Sequence, residues 1–249
     1  MRAQAPATLS NDVITFGFAT IAHTNSSYHR WLKADGTYVD ITTDLVADNE
    51  DLGPIAPESG GWSYVQQTST AGQITFVPNN AGSGSYLLSL TFQTTTTGIA
   101  TEGVTVSNGN FAIRSSQFGI GPVNLSTRTF LAATGPTIAG FVINGTSNRF
   151  VLIRAVGPGL AAFGVPNTAS TMGLSLYSST TLLGSGVNWS ATAATTALYA
   201  NAFSIAGGFA LTPGQTDSCL LLELAPGAYT SQMTAAAGGN AMIEVYFLP

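Results

Sequence analysis

Short segments rich in β-branched and aromatic residues, separated by Gly, Pro or Asn, recur along nearly the whole chain. Residues 85–92 (Ser-Tyr-Leu-Leu-Ser-Leu-Thr-Phe) nearly alternate between polar and apolar side chains, which is typical of a strand with one buried face. Pro-Gly pairs at 158–159, 213–214 and 226–227 mark turns. Because regularly spaced strands of this kind build sandwiches and barrels, we predict an all-β chain of two antiparallel sandwich or barrel-like domains.

The individual strands and one short helix follow from the same patterns. In the first half, strands are predicted at 13–22, 37–42, 62–67, 73–77, 85–93, 103–107 and 111–115. In the second half, they are predicted at 128–132, 138–143, 150–156, 174–177, 219–224, 228–234 and 242–248. Only residues 191–203 favour a helix, and their threonines weaken that prediction.

Charged residues are scarce. The chain has 249 residues, of which 8 % are charged, and its net charge is −5, whereas an ordinary soluble domain has about 25 % charged residues. The acidic balance and the single lysine, Lys33, argue against nucleic-acid and anionic-membrane partners. The long uncharged stretch between Arg154 and Asp217 is too rich in Ser, Thr, Asn and Gly to span a bilayer. Either other copies cover this surface or uncharged polar groups keep it in solution.

The two halves differ in charge. Residues 1–125 have 9 acidic and 4 basic residues, whereas residues 126–249 have 3 of each. We therefore predict an acidic β-domain at 1–118, a linker at 119–124 and a second β-domain at 125–249. Cys219 is the only cysteine, so neither domain has an internal disulfide.

Candidate chemistry is sparse. Asp44, Asp48, Asn49, Glu50 and Asp51 offer oxygen ligands of the kind that Ca²⁺ prefers, but their spacing departs from the EF-hand pattern, and a solvated acidic loop is the alternative interpretation. No nucleophile elbow, phosphate loop or dinucleotide fingerprint is present. We expect no enzymatic activity and no cofactor apart from this candidate calcium ion.

Two groups of residues suggest binding. Aromatic side chains that could stack on a surface glycan are Tyr28, Trp31, Trp62 and Tyr64, although aromatics in β-domains commonly belong to the core. Apolar residues that could be donated as a strand to a neighbouring copy are Val13, Ile14, Phe16, Phe18 and Ile21. The same apolar segment reads equally well as the first strand of its own domain.

The second half resembles a known module. The most specific match is residues 152–160 (Leu-Ile-Arg-Ala-Val-Gly-Pro-Gly-Leu). Further matches are residues 125–128, 138–143, 163–165, 211–214 and 224–230. From 125 onward the sequence resembles a C-terminal module of secreted and cell-surface proteins of environmental bacteria. The resemblance implies a β-sandwich used in surface display or attachment and gives no catalytic residue.

These observations favour a structural function. The first residues, 1–7, resemble the end of an export signal, so we expect an extracellular or cell-surface location. Few charges leave little repulsion between copies. The leading hypothesis is therefore a secreted subunit that self-assembles into a homopolymeric filament or surface layer. The alternative is a carbohydrate-binding or adhesive module that acts as a monomer.

Overall fold

The computed structural model describes residues 4–20, 23–41, 58–79, 84–102, 107–115, 124–146, 148–186 and 188–248. Most of these residues are in antiparallel strands, so the all-β prediction is confirmed. The chain divides into two compact units. The described residues of the first unit end at 115, and those of the second begin at 124. The predicted linker, 119–124, lies outside the described residues except for Asn124, which begins a strand.

The first unit is a closed barrel of eight antiparallel strands. In chain order these are β1 (Asp12–Thr20), β2 (His23–Leu32), β3 (Thr37–Asp40), β4 (Ser59–Thr68), β5 (Ala71–Pro78), β6 (Tyr86–Phe92), β7 (Thr97–Glu102) and β8 (Ser107–Ser115). Each strand pairs with the next, and β1 closes the barrel by pairing with β8. Closure leaves this sheet without an open edge.

Alternate residues of these strands fill the barrel. On β6, Leu88, Leu90 and Phe92 are buried, whereas Leu87, the residue before the first of them, is 41 % exposed. Aromatic rings meet in the interior, where the Phe92 and Phe111 rings contact edge to face with centroids 4.9 Å apart. The period of two residues therefore places one apolar face of every strand in a single core.

The second unit is a sandwich of two four-stranded sheets. Its strands are β9 (Asn124–Leu131), β10 (Thr137–Ile143), β11 (Arg149–Val156), β12 (Ser170–Ser178), β13 (Thr181–Gly186), β14 (Ser218–Leu224), β15 (Gly227–Ala237) and β16 (Gly239–Phe247). The strand order is β10-β15-β12-β13 in the first sheet and β14-β11-β16-β9 in the second. Side chains from both sheets form one apolar core between them.

A helix covers the outer face of the second sheet. Strand β11 is buried on both faces, because the helix α1 (Ala193–Ala206) presents Leu198, Ala202 and Phe203 as buried residues on that side. Thr192 caps the helix by accepting a hydrogen bond from the Thr195 backbone N–H at 3.1 Å. A short 3-10 helix, Pro158–Phe163, follows β11. The helix predicted at 191–203 is thus present, shifted toward the C-terminus.

Three described strands had no counterpart among the predicted segments: β2, β7 and β13. Strand β2 is mostly polar in sequence, and its inward positions include Arg30 as well as the apolar Leu32. Strand β13 faces the core with Gly184, which has no side chain and lies beside Leu220 and Leu222. Periodicity does not indicate these two strands, because each has an inward position that is not apolar. Of the predicted strand 103–107, only Ser107 is described, at the start of β8.

Candidate functional site

An ion cluster lies inside the barrel. Arg30 on β2 and Asp40 on β3 are direct cross-strand partners, and both are buried. The Arg30 Nε–H donates to Asp40 Oδ1 at 2.6 Å, and Nη2 donates to Glu58 Oε1 at 2.8 Å. The Glu58 backbone N–H donates to Asp40 Oδ2 at 3.0 Å. One guanidinium therefore holds the carboxylate of Asp40 on β3 and that of Glu58, the residue before β4.

Aromatic residues complete this cluster. The Tyr86 hydroxyl accepts from Arg30 Nη1 and donates to Glu58 Oε1, and the Tyr38 hydroxyl also donates to Glu58. The Arg30 Cζ lies 4.6 Å from the ring centroid of Phe76 and 4.7 Å from that of Tyr38, which is within cation–π range. Burial and the hydrogen bond to Glu58 raise the pKa of Tyr38. Because the hydrogen-bonding groups bind one another, the cluster is suited to fixing strands in place.

A second ion pair is buried under α1. Arg154 on β11 is fully buried opposite Glu244 on β16 and donates to Glu244 Oε2 from Nε at 2.8 Å and from Nη2 at 2.5 Å. Arg154 Nη1 donates to the Phe209 carbonyl at 2.6 Å, and the Tyr246 hydroxyl donates to Glu244 Oε1 at 2.8 Å. Burial raises the pKa of Tyr246 to about 12. This network joins two strands to the segment after α1.

A buried carboxylate fixes the turn after β11. Asp217 Oδ1 accepts from the backbone N–H groups of Gly157 at 2.8 Å and Gly159 at 3.1 Å. A Cβ atom at Gly157 would lie 2.4 Å from the Ala169 carbonyl oxygen, so only glycine fits there. Residues 152–160, the most specific match in the sequence, thus contain an ion-pair arginine and a carboxylate-bound glycine turn. The contacts described for these residues join strands and hold the turn after β11.

Sequence reasoning singled out none of these charged residues as a site. The available signal was a charge inside an apolar run, as in 152–156 (Leu-Ile-Arg-Ala-Val) and 243–245 (Ile-Glu-Val). Because a buried charge is costly without a partner, two such interruptions predict a buried ion pair.

The burial of ions leaves the surface even poorer in charge. Of the 19 charged residues, 12 have described side chains, and five of those are buried: Arg30, Asp40, Arg154, Asp217 and Glu244. In the second unit the buried group includes three of the six charged residues that the structure describes there. Solvent therefore meets mainly uncharged atoms over the described surface of this unit.

One sheet has no charged residue in any strand. The strands β10, β15, β12 and β13 consist of apolar, hydroxyl, amide and glycine residues only. We call the outer face of this sheet the uncharged face. From the alternation with buried positions, its residues are Ile138, Gly140, Val142, Gly173, Ser175, Tyr177, Leu182, Ser185, Ala228, Thr230, Gln232, Thr234 and Ala236. Another surface can bury this face without desolvating a charged side chain.

The predicted assembly segment belongs to the barrel. Val13, Ile14 and Phe16 are buried on β1, which is hydrogen-bonded to β2 on one side and β8 on the other. The side chain of Phe18 and all of Ile21 lie outside the described residues. The structure therefore gives the segment its alternative role, as the first strand of its own domain.

The predicted glycan-binding aromatics do not share one face. Trp62 and Tyr64 pack against the barrel core, and the Tyr64 hydroxyl donates to the Pro6 carbonyl at 3.0 Å. Trp31 alternates with the inward-facing Arg30 and Leu32 and donates from Nε1 to Asn11 Oδ1 at 3.1 Å. The side chain of Tyr28 lies outside the described part. A stacking platform made of all four residues is not formed by the described side chains.

The calcium prediction falls on undescribed chain, because Asp44, Asp48, Asn49, Glu50 and Asp51 are all within 42–57. Among the described residues there is no group of three or more His, Cys, Asp or Glu side chains able to hold a metal ion. Within those same residues, every helix is too short or too polar to cross a membrane.

Comparison with known proteins identifies no family. No protein-family model matches the chain, and no curated protein matches it. One solved structure that it matches is "Crystal structure of a Bacillus thuringiensis Cry1Da tryptic core variant", with 7 % identity, a TM-score of 0.26 and coverage of 100 % of this chain. The chain spans about half of that structure, 52 % of its length. A likeness this weak carries no argument about function.

Proposed function

We propose that the chain is a non-catalytic structural subunit whose copies associate through the uncharged face into a filament or layer at the cell surface. The observation that carries this proposal is the uncharged face itself, a four-stranded sheet without one charged residue in its strands. Soluble proteins commonly carry charged side chains on exposed edge strands, which keeps the sheets of different copies apart.

The charge distribution adds support. Arg154, Asp217 and Glu244 are buried in the same unit, so half of the charged residues described in it do not contribute to repulsion between copies. Exposed apolar side chains, such as Ile138 and Val142 at 60 % each, gain stability when another surface covers them. The extracellular location rests on the resemblance of residues 125–249 to modules of secreted and cell-surface proteins.

A monomeric glycan-binding role has less support. It requires several aromatic rings on one accessible face, whereas Trp62 and Tyr64 pack against the barrel core. The two functions predict different behaviour of the purified protein, because a glycan-binding monomer does not need to associate.

The test is the concentration dependence of assembly, followed by sedimentation velocity and negative-stain electron microscopy. We expect the native protein to form larger species as its concentration rises. The double variant Gln232→Lys/Thr234→Lys adds charge to the uncharged face and should weaken assembly. The matched control Gln73→Lys/Thr75→Lys makes the same two changes on the outside of barrel strand β5 and should not.

A native protein that remains monomeric at every concentration would contradict the proposed function. Equal weakening by the two double variants would contradict the assignment to the uncharged face. Circular dichroism and melting curves of each variant establish that the fold is intact before assembly is compared.

A further inference from the structure

The strand β10 is an outer strand of the uncharged sheet. Among the described strands it pairs with β15 alone, so one of its edges has no described strand beside it. Its sequence is Thr-Ile-Ala-Gly-Phe-Val-Ile, and Ile138 and Val142 are each 60 % exposed on the outer face. An open edge offers backbone N–H and C=O groups to another strand.

The usual protections of an edge strand are missing from β10. Outer strands are commonly shielded by a charge, a proline or a bulge. Strand β10 has no charged residue and no proline, and its register with β15 runs without a shift from Thr137 opposite Met233 to Ile143 opposite Gly227. By contrast, the outer strands of the other sheet carry Arg128 on β9 and Glu223 on β14.

The centre of β10 is a glycine that the fold of a single copy does not require. A Cβ atom added at Gly140 would meet only the Tyr229 carbonyl oxygen, at the ordinary contact distance of 3.8 Å. Gly140 does not have a positive φ angle. Glycine weakens a strand interior, and it often marks the close approach of a second backbone.

We infer that β10 pairs antiparallel with β10 of a second copy, about a two-fold axis at Gly140. The strand is self-complementary in this register, because Ile138 of one copy faces Val142 of the other on the outer side. On the inner side Ala139 faces Phe141. Two identical apolar pairs therefore flank the central glycines without any like-charge contact.

This inference rests on the proposed function and names one of its interfaces. The occupant is a second copy of this chain because both edges are uncharged and the residue pattern matches itself when reversed. The two sheets would join into one eight-stranded sheet across the interface, as counted from the four strands of each copy. Further growth into a filament or layer requires a second contact elsewhere on the subunit.

Cysteine substitutions test both the partner and the register. Facing residues of an antiparallel pair have Cα atoms about 4.5–5.5 Å apart, within the range that a disulfide spans. In the proposed register Gly140 faces Gly140 of the second copy. The two Ile138 residues, and likewise the two Val142 residues, lie about 14 Å apart. The variants are Gly140→Cys, Ile138→Cys and Val142→Cys, and native Cys219 is buried.

We expect Gly140→Cys to form a disulfide-linked dimer under mild oxidation, and Ile138→Cys and Val142→Cys to remain largely uncrosslinked. Similar crosslinking of all three variants would indicate random collision and overturn the inference. If the native protein associates but Gly140→Cys does not crosslink, the inference fails and the proposed function survives. If the native protein remains monomeric at every concentration, both fail.

Discussion

At the scale of single residues, five of the twelve described charged side chains are buried, where an unpaired charge costs most. Arg30 with Asp40 and Arg154 with Glu244 are both cross-strand pairs, and in both an aromatic ring lies under the guanidinium. A buried ion pair adds little net stability, but removing one partner leaves an uncompensated charge and costs about 3–5 kcal/mol. We therefore expect these pairs to specify strand register more than they stabilise the fold.

Asp217 allows a prediction about pH. Burial raises the pKa of its carboxyl in the folded state, although two glycine N–H groups oppose the shift. An acid whose folded pKa is raised costs stability above that pKa, and the cost is gone once the pH is below the unfolded value of about 3.9. As the pH falls from neutral toward 4, we expect protonation of Asp217 to raise the melting temperature of the second unit.

The variant Asp217→Asn tests this effect. The amide oxygen can still accept from Gly157, but the side chain no longer titrates. In thermal melts from pH 7.5 to about 4, the rise in melting temperature on acidification should therefore be smaller than in the native protein. The control is Asp35→Asn, since a hydrogen bond from the Thr37 hydroxyl lowers the pKa of that exposed carboxyl. The same loss of slope in both variants would contradict the assignment to Asp217.

At the scale of elements, the outer strands differ in how they are protected. Strands β9 and β14 each carry a charge, and β13 is joined to β12 through a register shift. Strand β10 has neither device. The edge that lacks these features is therefore the one from which we expect a new strand pairing to begin.

Charge pairs on β10 test its proposed register. In that register residue 138 of one copy faces residue 142 of the other. The variant Ile138→Lys/Val142→Lys therefore places like charges together and should weaken association about tenfold or more, equivalent to about 1.4 kcal/mol. The variant Ile138→Lys/Val142→Glu places opposite charges together and should retain more association in sedimentation equilibrium.

Both variants add two charges to the same exposed face, so they differ chiefly in which signs meet across the interface. Equal affinities of the two variants would contradict the proposed register, whatever their absolute value. Mixing Ile138→Lys/Val142→Lys with Ile138→Glu/Val142→Glu should restore pairing between unlike copies only.

At the scale of the whole molecule, assembly should depend weakly on ionic strength. Salt screens attraction and repulsion between exposed charges, but the uncharged face has none. We expect the sedimentation profile to change little between about 0.05 M and 0.5 M NaCl, whereas ammonium sulfate should favour larger species. Dissociation of the assemblies by NaCl alone would point to charged contacts instead.

The local sequence predicted much of the fold because strands with one apolar face carry their own signal. Residues 85–92 nearly alternate between polar and apolar side chains, and residues 138–143 are rich in β-branched and aromatic residues. Both segments form strands in the structure. The local sequence did not predict β2, β7 or β13; in β2 and β13 the inward positions include Arg30 and Gly184, which are not apolar. For the uncharged face, the sequence predicted only that charged residues are scarce. It did not predict the face itself, because no local pattern shows which strands share a sheet or which strand lies at its edge.

The amino-acid sequence alone determined the β-class, the low charge and the absence of disulfides, since these follow from composition and short-range periodicity. Tertiary structure decided which charges are buried, that β1 meets β8 to close a barrel, and that β10 has an open edge. The physical reason is that strand pairing joins residues far apart in the chain, such as Phe16 and Phe111, and only the completed sheet determines what each residue faces.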